Sequence, residues 1–272
     1  MSILIGTRRL DIDQLNLMDL PYSLVMTAPC QSVPAFIQLA AHPLRWQLIT
    51  ELAGSDYRVR ELAARTGQPQ NVISYHLRML RDGDLITRTR SSHDGRDSYY
   101  HLDLQHCAEQ LAATGPSLHP ALQMTLCASA GRPEPDVSVL FVCTGNSARS
   151  AIAEALLRHH TAGRLHVASA GTRPRNRMHP NTTRVLRHQY GIDIAGQQPR
   201  HLNDVDSTDF SYVITLCDKA REICPDFADH PGHIHWSIPD PSPVDSYPAF
   251  ECAATDIDTR IHYLRAVLSR RT

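Results

Sequence analysis

Between Cys143 and Arg149 lie only Thr144, Gly145, Asn146, Ser147 and Ala148. The apolar run VLFVC leads straight into them, and the amphipathic run ARSAIAEALLRHH follows. A cysteine at a strand end, a small-residue loop and an arginine at a helix start make a cradle whose backbone N–H groups converge on a tetrahedral oxyanion. The helix N-terminus and Arg149 both favour negative charge, so Cys143 is expected to react as a thiolate. Arg149 can clamp two oxyanion oxygens in its planar fork, and Ser150 is placed to donate a hydrogen bond to the sulfur. The loop is not a nucleotide P-loop, because the required Gly-Lys-Ser/Thr is missing. Two more thiols stand in VITLCDKAREICPDF, with Cys217 at a strand end and Cys224 seven residues later. Seven residues of helix rise about 10.5 Å, whereas a disulfide needs Cα atoms roughly 4.4 to 6.8 Å apart. If DKAREI is helical, it must open before the pair can close. The alternative is two unrelated buried cysteines. Cys252, on the last helical run, is expected to serve packing.

The elements that must position these residues alternate. After SVLFVC and its helix come the strand LHVASAG, the helix HPNTTRVLRHQYG, the strand YVITLC and a long terminal helix. Such alternation predicts an α/β domain of three layers on a parallel sheet, with ligands bound at the carboxyl ends of strands, where VLFVC delivers Cys143. The first half reads differently. Leu39, Leu44, Leu48 and Leu52 mark helical turns, and two short helical patterns, VRELAARTG and QPQNVISYHLRMLRDGD, flank a turn at Gly67. That is a helix-turn-helix, mostly α, and LITRTR, SSHDGRD and SYYHLDL add a β-hairpin wing. A last helix is expected over roughly Leu104 to Ala112. The Pro/Gly-containing stretch 113–136 reads as a linker, giving domains at 1–112 and 137–272.

The chain has 272 residues, 42% of them hydrophobic, seven cysteines and a net charge of −1. This is ordinary globular composition and excludes collagenous or wholly disordered chains. The start lacks a signal-peptide pattern, and VSVLFVC is far shorter than a membrane span, so the expected location is the cytoplasm, with no membrane association. An odd cysteine count argues for catalytic, sensing or buried thiols over a disulfide framework. Only Lys219 among the 27 basic residues is a lysine. The neutral total hides a local excess: residues 58–96 carry eight arginines and four acids. In a helix-turn-helix the second helix enters the major groove. Here it offers Gln70, Asn71, Ser74, Tyr75 and Arg78, while Val72, Ile73, Leu77 and Leu80 face the core. Gln and Asn suit adenine and Arg suits guanine. Arg88, Arg90 and Arg96 on the wing can touch the DNA backbone or minor groove. His101, Asp103 and His106, and separately His230, His233 and His235, match no firm metal template. No metal and no cofactor is assigned.

From Leu39 to Leu104 the sequence resembles the ArsR-type winged-helix repressors, in AAHPLRWQLITELA, in VRELAARTGQPQNVISYHLRMLRDGDLI and in SYYHLD. The resemblance implies a homodimer that binds operator double-stranded DNA and releases it on binding a metal or metalloid. The paired cysteines often found at the start of the first helix-turn-helix helix are replaced here by Tyr57, Arg58, Val59 and Arg60. A thiol site for arsenite would have to use Cys30, Cys107 or Cys127. From about 137 to 271 the chain resembles the low-molecular-weight tyrosine phosphatase fold, through VLFVCTGNSARSAIAEALL and ASAGT. That family uses an aspartate before proline as general acid, and HWSIPDPSP supplies Asp240 before Pro241. With Cys217 and Cys224 the resemblance narrows to the thioredoxin-coupled arsenate reductases. It implies that Cys143 attacks arsenate, Cys217 attacks the adduct to release arsenite, and Cys224 takes over the disulfide. Thioredoxin or an equivalent thiol system would then reduce the Cys217–Cys224 bond. Arg200 falls where potassium-binding members have an aspartate, and its charge would repel a cation near Asn146, Glu154 and Ser169. The sequence thus reads as a transcriptional regulator fused to an arsenate reductase. The alternatives are a DNA-tethered phosphatase of the same fold and a repressor whose second domain only senses oxyanions or redox state.

Overall fold

The computed structural model describes residues 2–5, 8–11, 33–122, 137–223, 227 and 230–269. The chain divides into a unit of residues 1–34 and a unit of residues 35–272. In the first, β1 (Ser2–Ile5) pairs antiparallel with β2 (Arg8–Asp11).

The second unit opens with α1 (Ala35–Ala40) and α2 (Pro43–Gly54), whose Pro43 at the first helical turn costs no hydrogen bond. The two-residue strand β3 (Tyr57–Arg58) precedes α3 (Val59–Thr66) and α4 (Gln70–Asp82). Gly67 ends α3 in the left-handed region at φ 68°, where a side chain would be strained, and its N–H caps Ala63 O. That cap makes the sharp turn between the two helices. Strands β4 (Ile86–Arg90) and β5 (Ser98–Leu102) form the wing, and α5 (Leu104–Leu118) follows. The antiparallel sheet runs β3-β5-β4. Leu48, Leu62, Ile73, Leu77, Leu80, Leu85, Ile86 and Leu102 bury almost completely into one core. α5 continues six residues past Ala112, through Gly115 and Pro116. Gly115 lets the following turn pack onto the helix, since a Cβ there would collide with Leu122 O.

The α/β half is built on β6 (Ser138–Cys143), buried at every position as a central parallel strand must be. It is flanked by β7 (His166–Gly171) and by β8 (Tyr212–Thr215), with β9 (His233–His235) beyond β8; all pairings are parallel, in the order β7-β6-β8-β9. Between the strands run α6 (Arg149–His160), α7 (Pro180–Tyr190) and the six-residue α8 (Asp218–Ile223), and α9 (Tyr247–Leu268) closes the chain. α6, α7 and α9 pack on one another. No described helix is long and apolar enough to cross a membrane.

The winged-helix and α/β halves meet through a polar seam. Asp56 N–H donates to His235 O at 2.8 Å, and His235 N–H donates to Ser55 Oγ at 2.9 Å. The buried Asp56 carboxylate accepts from Arg260 Nη1 at 3.1 and 3.0 Å and from Ser237 N–H at 2.7 Å, and lies 3.0 Å from His101 Nδ1. Burial alone would raise its pKa, but Arg260 and His101 hold it far below the ordinary range.

Candidate active site

The loop between β6 and α6 is shaped by its carbonyls. Those of Cys143, Thr144, Gly145 and Ser147 accept the N–H groups of Thr172, Arg173, Arg175 and His179 at 3.1, 2.8, 2.9 and 3.0 Å. With the carbonyls tied outward, N–H groups remain for the concave side, as an anion cradle requires. Asn146 takes φ 47°, which asparagine tolerates better than most residues. Its amide holds the loop from three sides: Nδ2 donates to Ser150 Oγ at 3.0 Å and to Ser169 Oγ at 2.8 Å, and Oδ1 accepts Arg200 N–H at 2.7 Å. Gly171, at the end of β7, must lack a side chain, because a Cβ would stand 2.7 Å from Thr144 O.

Inside the cradle Cys143 is 2% exposed. Its Sγ accepts Asn146 N–H at 3.3 Å and lies 3.0 Å from Ser150 Oγ. Arg149 reaches across to the loop after β9, donating to Ile238 O at 2.9 Å and to Asp240 Oδ2 at 2.8 Å. A cavity of about 320 Å³ opens here, lined by Cys143, Thr144, Gly145, Ser147, Ala148 and Arg149, and by Asp240, Ser242, Arg173, Pro174 and Arg175. The last five come from two other loops. Arg173, Arg175 and Ser242 escape sequence reasoning; the only signal for the arginines is their place just after ASAGT.

Cys217 follows β8 and is 1% exposed. Its Sγ lies 3.3 Å from Thr144 Oγ1 and accepts Ala220 N–H at 3.3 Å. Burial pushes this thiol up and the negative charge of Cys143 adds to the effect, while Arg149 opposes it. Cys224 lies outside the described residues, as do Cys30 and Cys127. Cys107 is buried and pushed up to about 11 by burial and Asp103. Cys252 is exposed, not packed as expected from the sequence, because the apolar stripe of α9 runs through Phe250, Ala253, Ala254 and Ile257 instead.

The histidines have ordinary partners: His101 bonds Asp56, His233 lies 3.2 Å from Thr215 Oγ1, and His235 contacts Thr215 and Asp218. Asp103 caps α5 through His106 N–H at 2.8 Å. Near Asn146, Glu154 accepts from Ser169 Oγ at 2.6 Å and from Arg200 Nη2 at 3.3 and 3.2 Å, so a guanidinium already sits beside this buried carboxylate. On α4, Gln70, Asn71, Ser74, Tyr75 and Arg78 are all exposed, Ile73, Leu77 and Leu80 are buried, and Val72 is half-buried. Arg88 and Arg90 are exposed on β4.

Residues 138–272 match the family model described as low molecular weight phosphotyrosine protein phosphatase, and residues 42–88 match that of the bacterial regulatory protein, arsR family. The chain is 32% identical over 124 residues to an arsenate reductase of Brevibacillus brevis, spanning 46% of this chain and 90% of that one. To an arsenate reductase of Shouchella clausii it is 35% identical over 106 residues, spanning 38% and 73%. A solved arsenate reductase in the phosphate binding state is 29% identical, with a TM-score of 0.45 over 49% of this chain and 99% of that one.

Proposed function

Since the chain belongs to the low molecular weight phosphotyrosine protein phosphatase family through residues 138–272 and carries an ArsR-family helix-turn-helix before it, we propose that it is a cytoplasmic DNA-binding regulator that also reduces arsenate to arsenite. The observation carrying the choice of arsenate over a phosphate ester is the second thiol, Cys217, buried behind the cradle with Thr144 Oγ1 at 3.3 Å. Hydrolysis of a phosphate ester needs one cysteine, and reduction needs a further thiol within reach.

In this reading arsenate displaces the Asp240 carboxylate from Arg149 and binds the loop N–H groups and the guanidinium fork. The Cys143 thiolate attacks arsenic, and one As–O bond breaks as Asp240 delivers a proton to the departing oxygen, which leaves as water. With Cys143 bound to arsenic its negative charge is gone, and Arg149 remains to favour a thiolate at Cys217. That thiolate attacks Cys143 Sγ. The S–As electron pair passes to arsenic, arsenite departs, and a Cys143–Cys217 disulfide forms. Cys224 then attacks Cys217, releasing the Cys143 thiolate, and thioredoxin or an equivalent dithiol reduces the Cys217–Cys224 bond at the cost of its own oxidation.

The test is paired kinetics on the full chain. Cys217→Ser should abolish catalytic arsenite release with a thioredoxin system while leaving para-nitrophenyl phosphate hydrolysis within a few-fold. Normal arsenate turnover by the variant would sink the relay, and ester hydrolysis without any arsenate reduction in the wild type would favour the phosphatase. The DNA-reading part of the proposal rests on the exposed row of Gln70, Asn71, Ser74, Tyr75 and Arg78, with Arg88 and Arg90 on the wing. Homodimerisation is assigned to the apolar residues Leu111 and Leu118, 40% and 74% exposed on α5. Light scattering that gave a monomer at micromolar concentration would remove it.

A further inference from the structure

α8, the helix that starts directly after Cys217, has its side chains fixed in the winged-helix half. Asp218 Oδ2 accepts Ser92 N–H, in the wing turn, at 2.6 Å. Glu222 Oε1 accepts Ser91 Oγ at 3.1 Å and Tyr99 OH at 3.0 Å, and lies 3.3 Å from Arg58 Nη1. Arg221 Nη2 donates to Glu61 Oε1 at 2.8 Å, and Glu61 Oε2 in turn accepts Arg58 N–H at the start of α3. Three of the six residues of α8 thus hold both the wing and the first helix of the helix-turn-helix. At its N-terminal end the helix is also held by the redox residue itself, since Cys217 Sγ and O accept the N–H groups of Ala220 and Arg221 at 3.3 and 3.2 Å.

We propose that α8 is a redox-sensitive clamp on the DNA-binding half: closing the Cys217–Cys224 disulfide opens α8 and frees the wing, so that arsenate turnover weakens DNA binding. The inference rests on the thiol relay proposed above. α8 is wound over Asp218–Ile223, all six residues between the two cysteines, and a helix rises about 1.5 Å per residue, whereas a disulfide tolerates only roughly 4.4 to 6.8 Å between Cα atoms. Closing the bond therefore works against the helix. Once α8 opens, Asp218, Arg221 and Glu222 cannot all keep their places, and Glu61, Arg58 and Tyr99 lose partners they hold in a half-buried seam. The wing strand β4, which ends one residue before Ser91, carries Arg88 and Arg90. The earlier Cys143–Cys217 bond does not require α8 to open, so the signal belongs to the last step, in which the Cys224 thiolate displaces Cys143 and the new bond holds the two oxidising equivalents until an external dithiol removes them. Binding linkage is reciprocal, so DNA should in turn disfavour closure of that bond.

The experiment oxidises the reduced full chain in two arms, one with a single equivalent of arsenate and no reductant, the other with diamide. Each arm is followed by disulfide mapping, amide exchange over residues 86–102, and anisotropy with a mixed-sequence DNA duplex of a few helical turns. Expected are faster exchange around Ser91 and Ser92 and at least about fivefold weaker DNA binding in both arms, in line with ordinary coupling strengths. In Cys224→Ser, oxidation should stop at Cys143–Cys217 and leave the wing protected. Reduced Glu222→Ala should already show the loosened wing. A mapped Cys217–Cys224 bond with unchanged exchange and affinity overturns the clamp, as does equal loosening in Cys224→Ser. If diamide produces the whole effect but arsenate yields neither arsenite nor disulfide, the clamp stands and the reductase reading falls. Absence of the bond in both arms overturns both.

Discussion

Cys143 Sγ has two neighbours of opposite origin, the Asn146 N–H at 3.3 Å, supplied by the loop, and the Ser150 hydroxyl at 3.0 Å, supplied by the first turn of α6. Hydrogen bonds to charged groups contribute about 1.5 to 3 kcal/mol. Ser150→Ala should therefore slow iodoacetamide alkylation of Cys143 at neutral pH by about tenfold or more; an unchanged rate would remove Ser150 from the site. Cys217 has a different setting. Burial pushes it up, so it rests as a thiol, and its attack on the adduct should accelerate as pH rises above neutrality. Single-turnover arsenite release measured against pH checks this, and a flat profile would show that another step limits. That Cys143, Arg149 and Ser150 lie close together is legible because they fall within eight residues of one strand-to-helix run, and Asp240 enters through the family resemblance. Arg173, Arg175 and Asp56 are not legible in the sequence, since each acquires its neighbours only through tertiary contact.

At the scale of elements, the cradle is a loop pressed against the end of β7. Gly171 has no room for a methyl group beside Thr144 O and Asn146 N, at 2.7 and 3.0 Å from a built Cβ. Gly171→Ala should displace the loop and lower kcat/KM for arsenate by an order of magnitude or more. Gly196→Ala, with open space around it, should leave kinetics unchanged. Equal activity in the two variants would mean that the loop is not held in place by this contact. The elements legible in advance are those whose own pattern suffices: the Gly67 turn, the wing and the run from VLFVC into α6. Those not legible lack such a pattern. β3 has two residues and β9 three, and each exists only because another strand accepts it. α5 runs past its apparent stop, through Gly115 and Pro116.

Over the whole molecule, a polar seam joins the winged-helix and α/β halves within the unit of residues 35–272. Its anchor, Asp56, is buried and carries Arg260, His101 and Ser237 N–H, and Glu61 ties α3 to α8. Removing one partner of a buried ion pair typically costs about 3 to 5 kcal/mol, because the other is left charged and dry. Asp56→Ala leaves the buried Arg260 with Asp256 but without its closest partner in the seam, so urea unfolding, expected as one transition in the wild type, should split into separate winged-helix and α/β transitions. Acid should act in the same way. Burial alone would raise the pKa of Glu61, but Arg221 and Arg58 bring it down to about 2 from an ordinary 4.5. A carboxylate whose folded pKa is depressed contributes its full stability above its unfolded pKa and loses it as pH falls toward the folded one. The seam should therefore hold above about pH 4.5 and weaken progressively between 4.5 and 2, with Asp56 resisting to still lower pH. Midpoints followed by two probes distinguish the halves: Trp46 fluorescence reports α2 and Trp236 the segment after β9, so each single-Trp variant follows one of them. Coincident midpoints at neutral pH that separate as pH falls below 4.5 are the expected result. Midpoints already apart in the wild type at neutral pH would show that the seam does not couple the two halves.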